Sequence, residues 1–255
     1  MGVVLQRILL LGGLLALWEA APVLGLVDEF FISRPSLVVA RIAEWIATGE
    51  LFVHIAVTAG EAVSGFAIGT CLGTIVGLAL GLVPALARAL LPLVTITNAL
   101  PKLAFAPLLI AWFGFGIASK VALAAAVVFF FIFFAVYSGI RTSDPVLLAN
   151  ARVLGGQGLD MLWHVYLPSA LSWIVAGIRL AVAYAFAAAV IGEYLGSSHG
   201  LGYLIVYGKE MLNMTDVFAG LVVVMTIVGL LDTGLRRIAA AGNQWRAADR
   251  EQARV

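Results

Sequence analysis

Asp144-Pro145-Val146-Leu147-Leu148-Ala149-Asn150-Ala151-Arg152-Val153-Leu154-Gly155-Gly156-Gln157-Gly158-Leu159-Asp160-Met161-Leu162-Trp163-His164-Val165-Tyr166-Leu167-Pro168 is a short polar island between two long apolar runs. Asp144 and Pro145 are a helix start: an acceptor side chain followed by a residue whose missing N–H costs nothing in the first turn. The helix they open runs to Leu154, where Gly155 and Gly156 stop it. A second short helix then carries Leu159, Leu162 and Trp163 on one side, and Leu167-Pro168 opens the next run. Two short helices at an angle make a knob, and a knob with exposed apolar residues calls for a partner to cover it. An amphipathic loop lying on lipid is the competing reading.

The runs on either side decide the class. Of 255 residues, 63% are hydrophobic and 11% charged, against roughly 45–50% and 25% in a soluble domain. One globule of this size cannot hide that surplus, so lipid must cover it. About 20 apolar residues cross a bilayer as a helix. That length predicts six spans, at residues 8–27, 55–82, 91–113, 119–140, 169–195 and 217–238. The third is interrupted by Pro101 and Pro107, which neighbouring helices can tolerate in a membrane. Arg7, an apolar run and Ala20-Ala21 resemble a secretory signal, but the run continues through Val23 to Val27, which favours an uncleaved span. The fold class is therefore an all-α membrane protein of about six transmembrane helices.

Charge sets the expected orientation. With the N-terminus in the cytoplasm, the inside segments hold Arg7, Arg88, Arg141, Arg152, Arg236, Arg237, Arg246, Arg250 and Arg254. The outside segments hold Arg34, Arg41, Lys120 and Lys209. This asymmetry predicts both termini inside and the knob with them. The long outside connection contains Val38, Ile42, Trp45 and Ile46 at helical spacing, a short helix lying on the outer membrane surface or on the bundle. Three parts are expected: residues 1–53, the first span with this amphipathic segment; residues 54–238, the main transmembrane domain with the cytoplasmic segment 141–168; and residues 239–255, a cytoplasmic tail.

The knob also carries a resemblance. Its residues are similar to the cytoplasmic signature of ATP-binding cassette (ABC) import permeases: Glu-Ala-Ala, three residues, Gly, nine residues, Ile, one residue, Leu-Pro. Ala151 matches the second alanine, Gly155 the glycine, Val165 the isoleucine, and Leu167-Pro168 the final pair, without a gap. Ala149 stands where that family has glutamate and Asn150 where it often has alanine. Asn98-Ala99-Leu100-Pro101-Lys102, Trp112-Phe113-Gly114-Phe115-Gly116, Gly192-Glu193-Tyr194-Leu195-Gly196, Gly200-Leu201-Gly202 and Thr215-Asp216-Val217-Phe218 resemble the nitrate, sulfonate and taurine branch. That branch also serves thiamine precursors and riboflavin. The resemblance implies a type I importer bundle in the bacterial inner membrane. It also implies a second, identical permease copy, an extracytoplasmic substrate-binding protein, and a cytoplasmic ATPase dimer that holds ATP and Mg. This chain itself contains no Gly-x-x-x-x-Gly-Lys-Ser/Thr phosphate loop, so it is expected to bind no cofactor and to be a transport subunit rather than an enzyme. A secondary transporter would work alone and often shows an internal repeat, which this sequence does not.

Three residue sets follow. Ala151, Arg152, Leu154, Gly155, Gly156, Leu159, Asp160, Leu162, Leu167 and Pro168 are the candidate ATPase-coupling residues. Lys102, Arg179, Glu61 and Glu193 are charges within spans, costly unless paired or wet. Lys102 and Arg179 count to mid-depth and suit an anion pathway, or else pair with Glu61 or Glu193. Gly65, Gly69, Gly73, Gly77 and Gly81 recur every fourth residue and allow close backbone approach. That stripe drifts by about 40° per step, which points to packing within the bundle rather than to one flat dimer seam. No metal-ligand spacing is present around His54, His164 or His199.

Overall fold

In the computed structural model residues 2–252 are described, with side chains at residue 2 and residues 5–237. Arg254 of the expected tail lies outside the described residues, and Arg246 and Arg250 are described in backbone alone. The order is α1 (Val3–Val23), α2 (Glu29–Ile32), α3 (Pro35–Ala47), α4 (Glu50–Leu82), α5 (Pro84–Ala99), a 3₁₀ turn (Lys102–Phe105) leading into α6 (Ala106–Phe113), α7 (Ile117–Arg141), α8 (Pro145–Val153), α9 (Gly158–Met161), a π turn (Leu162–Tyr166) leading into α10 (Leu167–Leu195), α11 (Leu201–Glu210) and α12 (Met214–Gln252).

Among the described residues, five helical segments are long and apolar enough to cross a membrane: Leu5–Val23, Glu50–Leu82, Ile117–Arg141, Gly158–Leu195 and Met214–Arg237. The third predicted span is not one rod. Pro84–Ala99 and Lys102–Phe113 meet at 84°, and only the bent pair together makes a sixth crossing. Pro101 is the cause. It cannot donate to the ladder, and its ring pushes Leu100 out of the helical region to φ −70°, ψ 142°.

Helix α7 is the axis of the bundle. Gly65, Gly69, Gly73, Gly77 and Gly81 of α4 all face it. A Cβ at Gly65 would lie 2.5 Å from the Ala124 Cβ. At Gly69 it would lie 2.6 Å from the Ala125 carbonyl and 2.7 Å from the Val128 Cβ. At Gly73, Gly77 and Gly81 it would meet Ile132, Val136 and Ile140. The partners on α7 thus also advance by four. Two stripes of equal drift stay in contact only if the helices wind around each other, and here they do so through five successive contacts. The glycine seam is internal, which leaves none of it for a neighbouring chain. On an adjoining face of α7, α10 approaches through Gly177 against Ala135, while Gly139 admits Ala170.

Helix α3 lies on the bundle. Val38 and Trp45 are buried with Phe186, Leu201, Leu204, Ala219 and Val223. Arg41 forks onto Asp216 at the start of α12, with Nε 2.7 Å from Oδ1 and Nη2 3.1 Å from Oδ2. That carboxylate holds the guanidinium pKa above its ordinary value. Helix α1 stands apart, apolar and exposed all round as a lipid-facing span should be. It is tied down near its end: the Glu19 carboxylate accepts from the backbone N–H and the hydroxyl of Ser36, at 2.9 and 2.7 Å.

Replacing Gly69 with valine should overpack the α4–α7 seam, because backbone as well as side chain stands in the way. A cost of about 1–3 kcal/mol or more is expected, read as a lower melting temperature and less monodisperse protein in detergent. Gly60→Ala, on the same helix with nothing within 4 Å of its Cβ, should behave as wild type. Equal melting of the two variants would show that the seam does not hold the bundle.

Candidate functional site

The knob is built by local chemistry. The Asp144 carboxylate accepts from the Val146 N–H at 2.8 Å and starts α8. The helix ends in a Schellman turn: Gly156 N–H donates to the Ala151 carbonyl at 2.9 Å and Gly155 N–H to that of Arg152 at 3.0 Å. This closure needs a left-handed residue, and Gly155 supplies it at φ +90°. Gly156 does a different job, since a Cβ there would lie 2.9 Å from the Ala151 carbonyl and 3.0 Å from the Met161 sulfur.

The second helix departs from expectation. It does not stop before Leu167-Pro168. α9 passes through the π turn, closed by Leu167 N–H to the Leu162 carbonyl, straight into α10. Pro168 lacks an N–H and crowds the carbonyl four residues back; widening the helix by one residue in the turn before it relieves that crowding. The outer surface of the knob is apolar. Val153 and Leu154 are each 87% exposed, Leu159 71% and Trp163 63%. Arg152, Gly156 and Leu159, with Leu162, line a cavity that reaches Leu82 at the end of α4. Leu167 and Pro168 form the first turn of α10, and Arg152 and Asp160 make no ion pair among the described residues.

Lys102 and Arg179 are not together. Lys102 sits on the 3₁₀ turn at the bend. Its ammonium donates to the Asn98 carbonyl at 2.8 Å and stands 4.7 Å from the centre of the Phe130 ring. It borders a cavity of about 370 Å³ between α5, α7 and α10, lined also by Phe131, Phe134, Ser138 and Trp173. Arg179, on another face of α10, gives Nε and Nη2 to Asp232 Oδ1 of α12, both at 3.0 Å. The count that put Arg179 at mid-depth started from the knob end of a helix longer than the bilayer is thick. Counted from Leu195 it lies 16 residues in, about 24 Å, towards the edge of a hydrocarbon layer about 30 Å thick.

Glu61 and Glu193 pair with neither cation. They are buried with a lysine that the sequence reading placed in an outside loop, Lys120, 1% exposed. Glu193 accepts from the Thr58 hydroxyl and the Gly202 N–H, both at 2.7 Å. Thr58 in turn accepts from Leu201 N–H at 2.9 Å, and His54 Nδ1 from Gly200 N–H at 2.9 Å. Lys120 donates to the carbonyls of Phe115, Gly116 and Gly196, the last at 2.5 Å. Glu61 abuts Glu193, with the Lys120 charge acting on both. The network pins the loop after α10 to α4 and α7. His54, Thr58 and Lys120 were missed as its members. Their signal was the run of glycines around Glu193: Gly200 and Gly202 pack directly on its side chain, and Gly192 leaves room for Lys120.

Comparison with known proteins follows the same lines. The family described as binding-protein-dependent transport system inner membrane component matches residues 69–241. A Bacillus subtilis protein described as an aliphatic sulfonates transport permease is 33% identical over 95% of this chain and 88% of its own length. A riboflavin transport system permease protein of Chloroflexus aurantiacus is 33% identical over 82% of this chain and 78% of its own. Among solved structures, a chain of the MetNI methionine ABC transporter in an inward-facing conformation superposes with a TM-score of 0.63. It is 19% identical and covers 76% of this chain and 97% of that one.

Proposed function

Because the chain belongs to the binding-protein-dependent transport inner membrane component family, we propose that its Lys102 cavity passes a small organic anion of the aliphatic sulfonate, taurine or nitrate kind. The chain is a permease subunit of an ABC importer, a multi-pass inner membrane protein and not an enzyme, and ATP is hydrolysed on a separate subunit. A self-sufficient secondary transporter is not favoured. The observation that carries the anion reading is Lys102 itself. Its ammonium borders the cavity with carbonyl and ring partners but no carboxylate among the described residues. Arg179, held by Asp232 on another face of α10, adds little to it. The sulfonate relative supports the same choice. A second reading rests on the aromatic lining: Phe130, Phe131, Phe134 and Trp173 would stack on a planar heterocycle such as riboflavin or a thiamine precursor, and a riboflavin permease is among the relatives.

The partners are an ATPase dimer carrying ATP and Mg, an extracytoplasmic binding protein, and a second copy of this chain. The knob, from Ala151 to Pro168, docks in a groove of the ATPase. Leu154 and Leu159 supply apolar contact. Movement of the knob passes into α10 because helix runs unbroken from Gly158 to Leu195. That continuity lets differential binding between two ATPase states bias the bundle. Both termini and the knob face the cytoplasm, from the arginine asymmetry.

Lys102→Met should lower uptake of a radiolabelled aliphatic sulfonate at least tenfold while the permease still co-purifies with its ATPase. Unchanged sulfonate uptake would end the anion reading. Uptake of riboflavin by the same cells, insensitive to this substitution, would establish the heterocycle in its place.

Gly155→Leu should weaken docking twice over, by a left-handed backbone strain of about 1–2 kcal/mol and by a side chain projecting into open space where the partner sits. Less ATPase should co-purify, and uptake should fall in proportion. Normal co-purification together with normal uptake would show that the knob is not the coupling element. Topology is checked separately: a reporter fused after Asp160 should read cytoplasmic and one after Gly49 periplasmic, and the reverse pattern would invert the orientation.

A further inference from the structure

On the side of the bundle away from the Lys102 cavity, α4, α10 and α12 enclose an apolar groove of about 170 Å³. It is lined by Ile55, Phe66, Val182, Phe186, Ile227 and Leu231, with no polar surface in its walls. A dry cavity of roughly 150 Å³ takes up a benzene-sized apolar guest, so the groove has room for a stretch of hydrocarbon chain. Its position along the helices is definite. Phe186 lies 9 residues from Leu195, about 14 Å, and Leu231 lies 17 residues from Met214, about 26 Å. The groove therefore occupies the middle of the hydrocarbon layer and reaches down towards the knob end.

At that lower end the chemistry changes within one helical turn. Arg179 precedes Val182 by three residues on the same face of α10, and Asp232 follows Leu231 on α12. Arg179 and Arg236 both reach Asp232: Arg179 Nε and Nη2 at 3.0 Å from Oδ1, Arg236 Nε and Nη2 at 2.8 and 2.5 Å from Oδ2. Two guanidiniums against one carboxylate leave one positive charge in excess. The Arg236 side chain is 63% exposed and that of Arg179 37%, so the cluster is not closed off. Asp232 lies 18 residues from Met214, about 27 Å, where the edge of a hydrocarbon layer about 30 Å thick meets the headgroups.

We propose that this is a binding site for an anionic phospholipid of the leaflet at the knob end, its phosphate on Arg179 and Arg236 and one acyl chain in the groove. Charge complementarity selects the occupant. A second copy of this chain meeting the same face across a two-fold axis would bring two patches of excess positive charge together. A zwitterionic lipid would fill the groove and offer the same phosphate, but it would also bring a cationic headgroup beside the excess positive charge. Asp232 holds both guanidiniums in a fixed fork, so the phosphate meets an ordered pair rather than two flexible side chains.

The test uses the assembled transporter, permease with its ATPase, extracted in mild detergent and examined by native mass spectrometry. Phosphatidylglycerol, phosphatidylcholine or inorganic phosphate is added in turn. Wild type should retain phosphatidylglycerol in preference to phosphatidylcholine. Arg236→Gln should weaken that retention about fivefold, the factor one basic side chain near an anionic surface supplies, and leave phosphatidylcholine unchanged. Arg179→Gln should act in the same direction should the first variant fail to fold. Ile227→Trp, which fills the groove, should lower retention of both lipids. Equal retention of the two lipids by wild type would overturn the proposal. So would displacement of bound lipid by inorganic phosphate, which would make the arginines a free-anion site. Loss of permease pairs in Ile227→Trp with lipid retained would assign the groove to a second copy.

Discussion

The close approach of α4 and α7 is the constraint on which the rest of the bundle depends. In lipid there is no hydrophobic gain in bringing two apolar helices together, so packing must come from dispersion at short range. Five glycines at a four-residue interval provide that range. Because α7 is held along its whole length by α4, its adjoining face is presented to α10 in fixed register. Gly139 and Gly177 then repeat the device on that side. The Lys102 cavity exists only where α5, bent off at Pro101, cannot follow this dense packing.

A second constraint is polar. Glu61, Lys120 and Glu193 are buried side by side in an interior made mostly of Ala, Gly, Val, Leu and Ile. Charges inside a membrane protein are tolerated where each finds partners, and here most partners are backbone groups of the loops at the far end. Gly196 and Gly200 of the loop after α10, and Gly202 in the first turn of α11, turn carbonyl or N–H groups towards Lys120, His54 and Glu193. A loop of this composition has little side-chain packing to hold it. Hydrogen bonds from below take that part, and they set where α11 begins.

Hydropathy and turn chemistry made much of this legible in the sequence, because both act locally. The spans follow from apolar run length, and the end of α8 follows from Gly155-Gly156. The glycine interval pointed to internal packing before any partner helix was known. What escaped depended on three-dimensional neighbours. Pro101 announced a break, but the 84° angle is set by how α6 lies against α7. Lys120 opens an apolar run, where a cation reads as the last residue of a loop, and nothing local tells that three carbonyls converge on it. Arg179 was misplaced in depth because α10 begins well outside the hydrocarbon. Its partner Asp232 is 53 residues away in sequence.

The π turn ahead of Pro168 has a consequence for helical phase. One added residue in a turn rotates everything on its N-terminal side by about 100° relative to a regular α-helix. The face of α9 that bears Leu159 is therefore set independently of the faces of α10 that pack on α7 and α12. In a strictly regular helix those orientations would be locked together, and a surface shaped for a soluble partner would dictate which side chains turn towards lipid. The wide turn acts as a clutch between two engaged gears: it transmits axial displacement while allowing each end its own angular setting. A single-residue deletion between Leu162 and Tyr166 would restore a regular helix and, by doing so, turn the Leu159 face of α9 by about 100° relative to the bundle.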